Sequence, residues 1–245
     1  MASISSQIQQ LDDLINQRAY FKQRSHDTHT QTHQPQLESS TLLLSQELPQ
    51  IDIVLLGDSM LERFKTSGKY TQIGQTHYPQ IFNAGVGGDK IENVLYRINL
   101  GLLRLLKPRN PKVIVLQLGT NNLQCKRALT RQNLDDYYLL LQALLMTWPN
   151  PPQILVTGLF KRKNVDEQYI TQSNIALEEL VVKTNMTEMQ KHAQQDHCIH
   201  WMQPPKQIGL EHLQDDVHLN TTGYQIWDEI LYAKIQELLH LQNFQ

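Results

Sequence analysis

Ser59 stands in Gly57-Asp58-Ser59-Met60, directly after the apolar run Ile51-Asp-Ile-Val-Leu-Leu56. A serine at a strand-to-helix turn is held at the open edge of a sheet with a helix N-terminus behind it. Glycine permits the tight backbone path, and the positive helix end favours developing negative charge. Such a hydroxyl suits nucleophilic attack, and the same position equally suits a plain helix N-cap. It is not the G-x-S-x-G elbow of the α/β-hydrolases, which argues against that fold.

Three further groups fall at comparable places. Asn83-Ala-Gly85-Val-Gly87-Gly88-Asp89 follows a second apolar run, and its glycines bring backbone N–H groups to where an oxyanion could be bound. The G-x-G-x-x-G spacing of a dinucleotide loop is absent, so a nicotinamide or flavin site is not indicated. Asp89 reads as the N-cap of the next helix. Gly119-Thr120-Asn121-Asn122 places an amide donor after a third run, although a turn residue serving the local backbone would look the same. Near the C-terminus lies Asp215-Asp216-Val217-His218-Leu219-Asn220. An aspartate three residues before a histidine can fold back within one turn and accept from the imidazole, fixing its tautomer and supporting its cation. A metal centre would need further ligands, and neither HExxH nor a second Asp/His cluster is present. A surface Asp–His pair is the plainer alternative.

The elements that must position these groups alternate. Strands are expected at 51–56, 81–83, 112–118, 154–157 and 198–202. Helices are expected at about 60–65, 90–106, 130–148, 165–192 and 221–241, the third ending before Pro149, Pro151 and Pro152. Lys112-Val-Ile-Val-Leu-Gln-Leu118 is apolar nearly throughout, as a parallel strand covered on both faces should be. Five β–α units predict an α/β fold: a flavodoxin-like three-layer α/β/α sandwich with a five-stranded parallel sheet, whose ligands bind beyond the carboxyl ends of the strands.

Residues 1–47 read differently and are expected as an extension to a domain spanning 48–245. Ile8, Leu11, Leu14, Ile15 and Phe21 fall near helical spacing, whereas 25–36 is a polar run with little to bury and reads as a mobile linker. His26, His29 and His33 in it could bind a metal weakly, and a polar tail is the plainer account. The net charge of −2 over 245 residues indicates neither a nucleic-acid partner nor an acidic tail. Lys161-Arg162-Lys163, the one tight basic run, reads as a solvated face. Cys125 and Cys198 cannot make a disulfide framework and sit in no metal-binding spacing, and the N-terminus has neither the basic nor the apolar region of a secretory signal. No stretch approaches the roughly 20 apolar residues that span a bilayer. A cytoplasmic protein without a transmembrane segment is the expectation.

The four groups, in this order, resemble the motif blocks of the SGNH hydrolase (GDSL esterase/lipase) superfamily, over Ile51 to about Leu241. Within it the chain is most similar to the catalytic subunits of cytosolic, brain-type platelet-activating-factor acetylhydrolase. The stretch Phe82-Asn-Ala-Gly-Val-Gly-Gly-Asp-Lys-Ile-Glu-Asn-Val-Leu-Tyr-Arg-Ile98, Lys107-Pro108, Gly119-Thr-Asn-Asn122 and Gly158-Leu159 carry that similarity.

The resemblance implies an SGNH fold and a serine esterase with Ser59 as nucleophile, His218 as base and Asp215 as its partner. The backbone N–H groups of Ser59 and Gly88 and the Asn121 amide would form the oxyanion hole. It further implies an acyl pocket lined by Met60, Thr120 and Val217, a preference for short acyl groups on a small-molecule or lipid ester, no metal or organic cofactor, and a homodimer. The chain has Asn122 where the wider superfamily often has Asp, and Val217 where the acetylhydrolase group has a leucine. A sugar O-acetyl ester, a longer-chain lipid ester or a non-catalytic scaffold are the alternatives. The scaffold reading expects a decayed triad, and Ser59, Asp215 and His218 are all present.

Overall fold

The computed structural model describes residues 4–38, 48–191 and 198–242. Five parallel strands, β1 Ile53–Gly57, β2 Ile81–Gly85, β3 Val113–Gln117, β4 Gln153–Thr157 and β5 Ile199–Met202, lie in the order β2-β1-β3-β4-β5. That is the doubly wound order expected from alternating strands and helices, with its switch point between β1 and β3. Gly57 is level with Gly85 on one side and Gln117 on the other, so the loops after β1, β2 and β3 open at one edge. A Cβ on Gly57 would stand 2.1 Å from the Gln117 carbonyl oxygen, so glycine alone permits the strands to run this close.

The helices are α1 Ile4–Arg18, α2 Gln23–Thr28, α3 Gln34–Glu38, α4 Ser59–Glu62, α5 Gln72–Gln75, α6 Ile91–Asn99, α7 Leu102–Leu106, α8 Arg131–Thr147, α9 Glu167–Lys191 and α10 Thr221–Gln242. Strand periodicity divides the core in two. Val54, Leu56, Ile114, Leu116, Ile154 and Val156 pack with α6, α7, α8 and α9, while Ile53, Leu55, Val113, Val115 and Leu155 pack with α10 and the turns around α4 and α5. Both faces are therefore covered, as the continuous apolar strands require. No helix among the described residues is long and apolar enough to cross a membrane.

Two expectations need correcting. The single helix expected over 90–106 is α6 and α7, broken at Gly101, whose φ of +102° lies in the left-handed region. The polar run expected as a mobile linker is instead α2, one π-helical turn at His29–His33, and α3. Ser25, His29, His33 and Leu37 are all buried and recur every fourth residue, so they form one stripe against the body of the protein. The His33 ring meets Phe82 edge-on at a centroid distance of 5.5 Å. Residues 39–47, up to the expected boundary at 48, lie outside the described residues.

Candidate active site

Gly57 ends β1 and Ser59 begins α4, so the chain turns at the sheet edge within two residues. Asp58 makes that turn: its carboxylate accepts from the Met60 N–H at 2.9 Å and caps the helix. The expected helix over 60–65 is therefore one α-turn followed by a 3₁₀ turn at Arg63–Lys65. Asp58 is fully buried, and burial pushes its carboxyl up to about 7 against the opposing effect of the Met60 N–H.

The Ser59 side chain meets the C-terminal loop. Ser59 Oγ lies 2.9 Å from His218 Nε2, and His218 Nδ1 lies 2.7 Å from Asp215 Oδ2. The other oxygen, Asp215 Oδ1, accepts from the backbone N–H groups of Val217 and His218, both at 2.8 Å. Burial alone would raise the Asp215 carboxyl, but these two N–H groups and the imidazole outweigh it and hold it well below the usual carboxylate range. Asp215 is thus an acceptor at neutral pH. Nδ1 of His218 must donate to it, which leaves Nε2 with a lone pair for the Ser59 hydroxyl. The three-residue spacing selects Asp215: Asp216 is exposed, and its carbonyl accepts from Lys163 N–H at 2.9 Å.

The glycine loop after β2 leaves the sheet at the same edge as Ser59, Gly85 being level with Gly57. The Asp89 N–H donates to Val86 O at 3.1 Å, closing a turn in which Gly88 has φ of +74°. Neither the Gly88 N–H nor the Ser59 N–H donates to a protein acceptor among the described residues. Asn121 joins this loop to the one after β3, donating from Nδ2 to Asp89 O at 2.9 Å. Its nearest further acceptor, Asp58 Oδ2, stands 3.5 Å away, beyond a normal N–H···O length, so one amide hydrogen is left weakly engaged. Asn122 serves the helix instead. Its Oδ1 accepts from Ile91 N–H at 3.1 Å and its Nδ2 donates to Glu92 at 2.9 Å, capping α6.

Asp89 is not the N-cap expected of it. Asn93 Oδ1 accepts from the Lys90 N–H at 2.9 Å, and Asp89 is instead buried in an ion pair with Arg97 Nε at 3.0 Å. Arg97 also donates to the carbonyls of Ala84 at 2.8 Å and Gly57 at 3.3 Å, bracing the ends of β1 and β2. Ser25 Oγ donates to Asp89, and Lys22 Nζ lies 3.3 Å from it and 2.7 Å from Gly87 O. Lys22 and Arg97 thus hold the loop of the expected oxyanion site, and the motif spacings pointed to neither. Arg97 lies one helix away, and Lys22 is 65 residues from its partner.

The expected acyl-pocket residues differ in access. Val217 is half-buried, Thr120 is 5% exposed and Met60 is 1% exposed, packed with Leu61 and Phe64 in the α10-side core. Met60, next to Ser59 in the chain, therefore presents almost no surface to a ligand. The basic run is not a uniformly solvated face: Arg162 donates to Thr120 O at 2.8 Å and ties the loop after β4 to the site, whereas Lys161 pairs with exposed Glu167 at 2.6 Å.

The profile of the GDSL-like lipase/acylhydrolase family matches residues 55–226, the span that contains every group just described except Lys22 and Ser25. In sequence the chain is similar to platelet-activating factor acetylhydrolase IB subunit alpha2 of Homo sapiens and Bos taurus, 26% identical over 188 residues that cover 77% of each protein. Among solved structures it is similar to a family two carbohydrate esterase from Clostridium thermocellum, with a TM-score of 0.57 and 16% identity over 80% of this chain and 66% of that one. It is also similar to a family 3 carbohydrate esterase from Talaromyces cellulolyticus, with a TM-score of 0.53 and 17% identity over 78% of this chain and 98% of that one. At these identities the structural likeness concerns the fold.

Proposed function

The chain belongs to the GDSL-like lipase/acylhydrolase family and is a carboxylic ester hydrolase, and from that premise we propose that Ser59, His218 and Asp215 carry out its reaction. The carrying observation is the continuous hydrogen-bonded line from Ser59 Oγ through the imidazole to Asp215. As Ser59 Oγ attacks the ester carbonyl carbon, its proton passes to His218 Nε2, and Asp215 stabilises the imidazolium that forms. The carbonyl oxygen becomes an oxyanion held by the Ser59 and Gly88 N–H groups and the weakly engaged hydrogen of Asn121. Collapse expels the alcohol, which takes the proton from His218 and leaves an acyl-serine. Water, deprotonated by His218, then attacks the acyl carbon; the bond from that carbon to Ser59 Oγ breaks, Oγ takes the proton back from His218, and the acid is released.

The substrate in this account is a short-chain, acetyl-type ester. Near-complete burial of Met60 and Thr120, each next in the chain to a proposed catalytic or oxyanion residue, supports a short acyl side, and the acetylhydrolase named among the relatives supports a phospholipid as the alcohol side. Residues 48–245 form the hydrolase domain, and 1–47 are an extension to it. The test is steady-state hydrolysis of p-nitrophenyl acetate by Ser59→Ala, His218→Ala and Asp215→Asn. Each variant should lose roughly 10³-fold or more in kcat while keeping its Tm. Retention of kcat in Ser59→Ala would remove the assignment.

A further inference from the structure

The Gly87–Gly88 peptide has two ways to point, and the structure contains a device that selects one. The turn closed by Asp89 N–H on Val86 O places Gly87 and Gly88 at its centre, and of these two Gly88 alone has a positive φ, at +74°. That is a type II turn. Its type I counterpart differs by a flip of the central peptide through roughly half a turn. With glycine on both sides of that peptide, no side chain opposes either orientation. In a trans peptide the C=O and N–H point in opposite directions, so whatever holds the Gly87 oxygen also aims the Gly88 hydrogen.

Lys22 holds that oxygen. Its ammonium donates to Gly87 O at 2.7 Å, a charge-assisted bond, and is itself fixed by the Asp89 carboxylate. The segment that delivers it is pinned on both sides. The Tyr20 N–H donates to Glu92 O at 2.9 Å, the Asn93 amide donates to Tyr20 O at 2.9 Å, and Arg24 donates to Glu62 at 2.9 Å. A cation on the carbonyl also polarises the amide, making the Gly88 N–H a stronger donor.

We propose that Lys22 is a positioning residue for the esterase reaction: by clamping the Gly87 carbonyl it presets the Gly88 N–H toward the oxyanion. The proposal rests on the assignment of Ser59 and Gly88 given above. It makes the N-terminal segment, which lies outside the family-matched span, a working part of the site. Lys22 touches no reacting atom; its effect passes through one peptide plane.

The experiment measures kcat, KM and Tm on p-nitrophenyl acetate for Lys22→Met, Lys22→Arg and Gln23→Ala beside Ser59→Ala. Losing an oxyanion donor outright costs about 10²–10³ in kcat, so Lys22→Met, which frees the peptide without deleting it, should lose at least about tenfold. Its KM should stay within about twofold, because the clamp acts on the transition state rather than on ground-state binding. Lys22→Arg should recover most of the loss, and Gln23→Ala, altered at an exposed neighbour on the same segment, should leave kcat near wild type. Lys22→Leu, which also removes the donor to Gly87 O, is read by the same criterion if the methionine variant does not fold. Wild-type kcat in Lys22→Met, or equal losses in Lys22→Met and Gln23→Ala, would overturn the clamp. If Ser59→Ala is inactive while Lys22→Met is unaffected, only the clamp fails; if Ser59→Ala stays active, the assignment beneath it fails.

Discussion

Acidification from about pH 7.5 to about pH 5 should release the N-terminal segment, because the two histidines that seat it are held neutral. His29 and His33 are 1% and 0% exposed. Burial first, and the charge of Arg97 second, pushes His29 down to about 4 and His33 down to about 2. The other groups acting on them are the Leu100 backbone, His26 and Glu38 at His29, and Lys65 and His29 at His33. Once detached, both rings titrate at the ordinary histidine value of 6.5. Docking is therefore at full strength above that value and is lost as pH falls towards the docked values, since the detached form binds protons first. Each ring removes about 1.4 kcal/mol per pH unit in this window, so two rings remove roughly 4 kcal/mol by about pH 5. Hydrogen exchange across 23–37, corrected for intrinsic rates, reads the docking free energy at each pH. His33→Phe keeps a ring against Phe82 but removes one titrating group, and should show about half the wild-type pH slope. Identical slopes in wild type and variant, or protection that rises with acid, would refute this coupling.

Two further outcomes follow from the site. Asn121→Ala should lower kcat by about 10²-fold with little change in KM, whereas Asn122→Ala, which removes only the cap on α6, should leave kcat near wild type and cost about 1 kcal/mol of stability. Equal kinetic losses at the two positions would exchange or dissolve their roles. On acyl chain length, kcat/KM should fall from acetyl to butyryl to octanoyl esters. Each methylene that fitted would gain about 0.8 kcal/mol of burial, so a decline requires steric exclusion, which tightly packed Met60 and Thr120 would supply. An octanoyl ester cleaved faster than an acetyl ester would show that the pocket is open.

The strands and the Asp215–His218 pair were legible because each follows from local spacing: apolar runs bounded by glycine, and three residues that close one turn. What was not legible depends on contacts far apart in sequence. The 25–37 stripe is invisible to an apolar period because its buried members are a serine and two histidines beside one leucine. Asp89 satisfies the local rule for an N-cap, yet the buried charge of Arg97 claims it, and capping passes to Asn93 and Asn122. Lys22 carries no motif, and only the folded chain brings it to Gly87. The break at Gly101 did carry a local sign, a glycine just past Asn99, which the apolar run of 102–106 concealed.

That Ser59 is the nucleophile underlies every step above, and reaction with a fluorophosphonate probe followed by mass mapping of the labelled peptide tests it head-on. A single phosphonylated serine is expected at Ser59, with slower labelling in His218→Ala and none in Ser59→Ala. Labelling that persists in Ser59→Ala on another serine would contradict it.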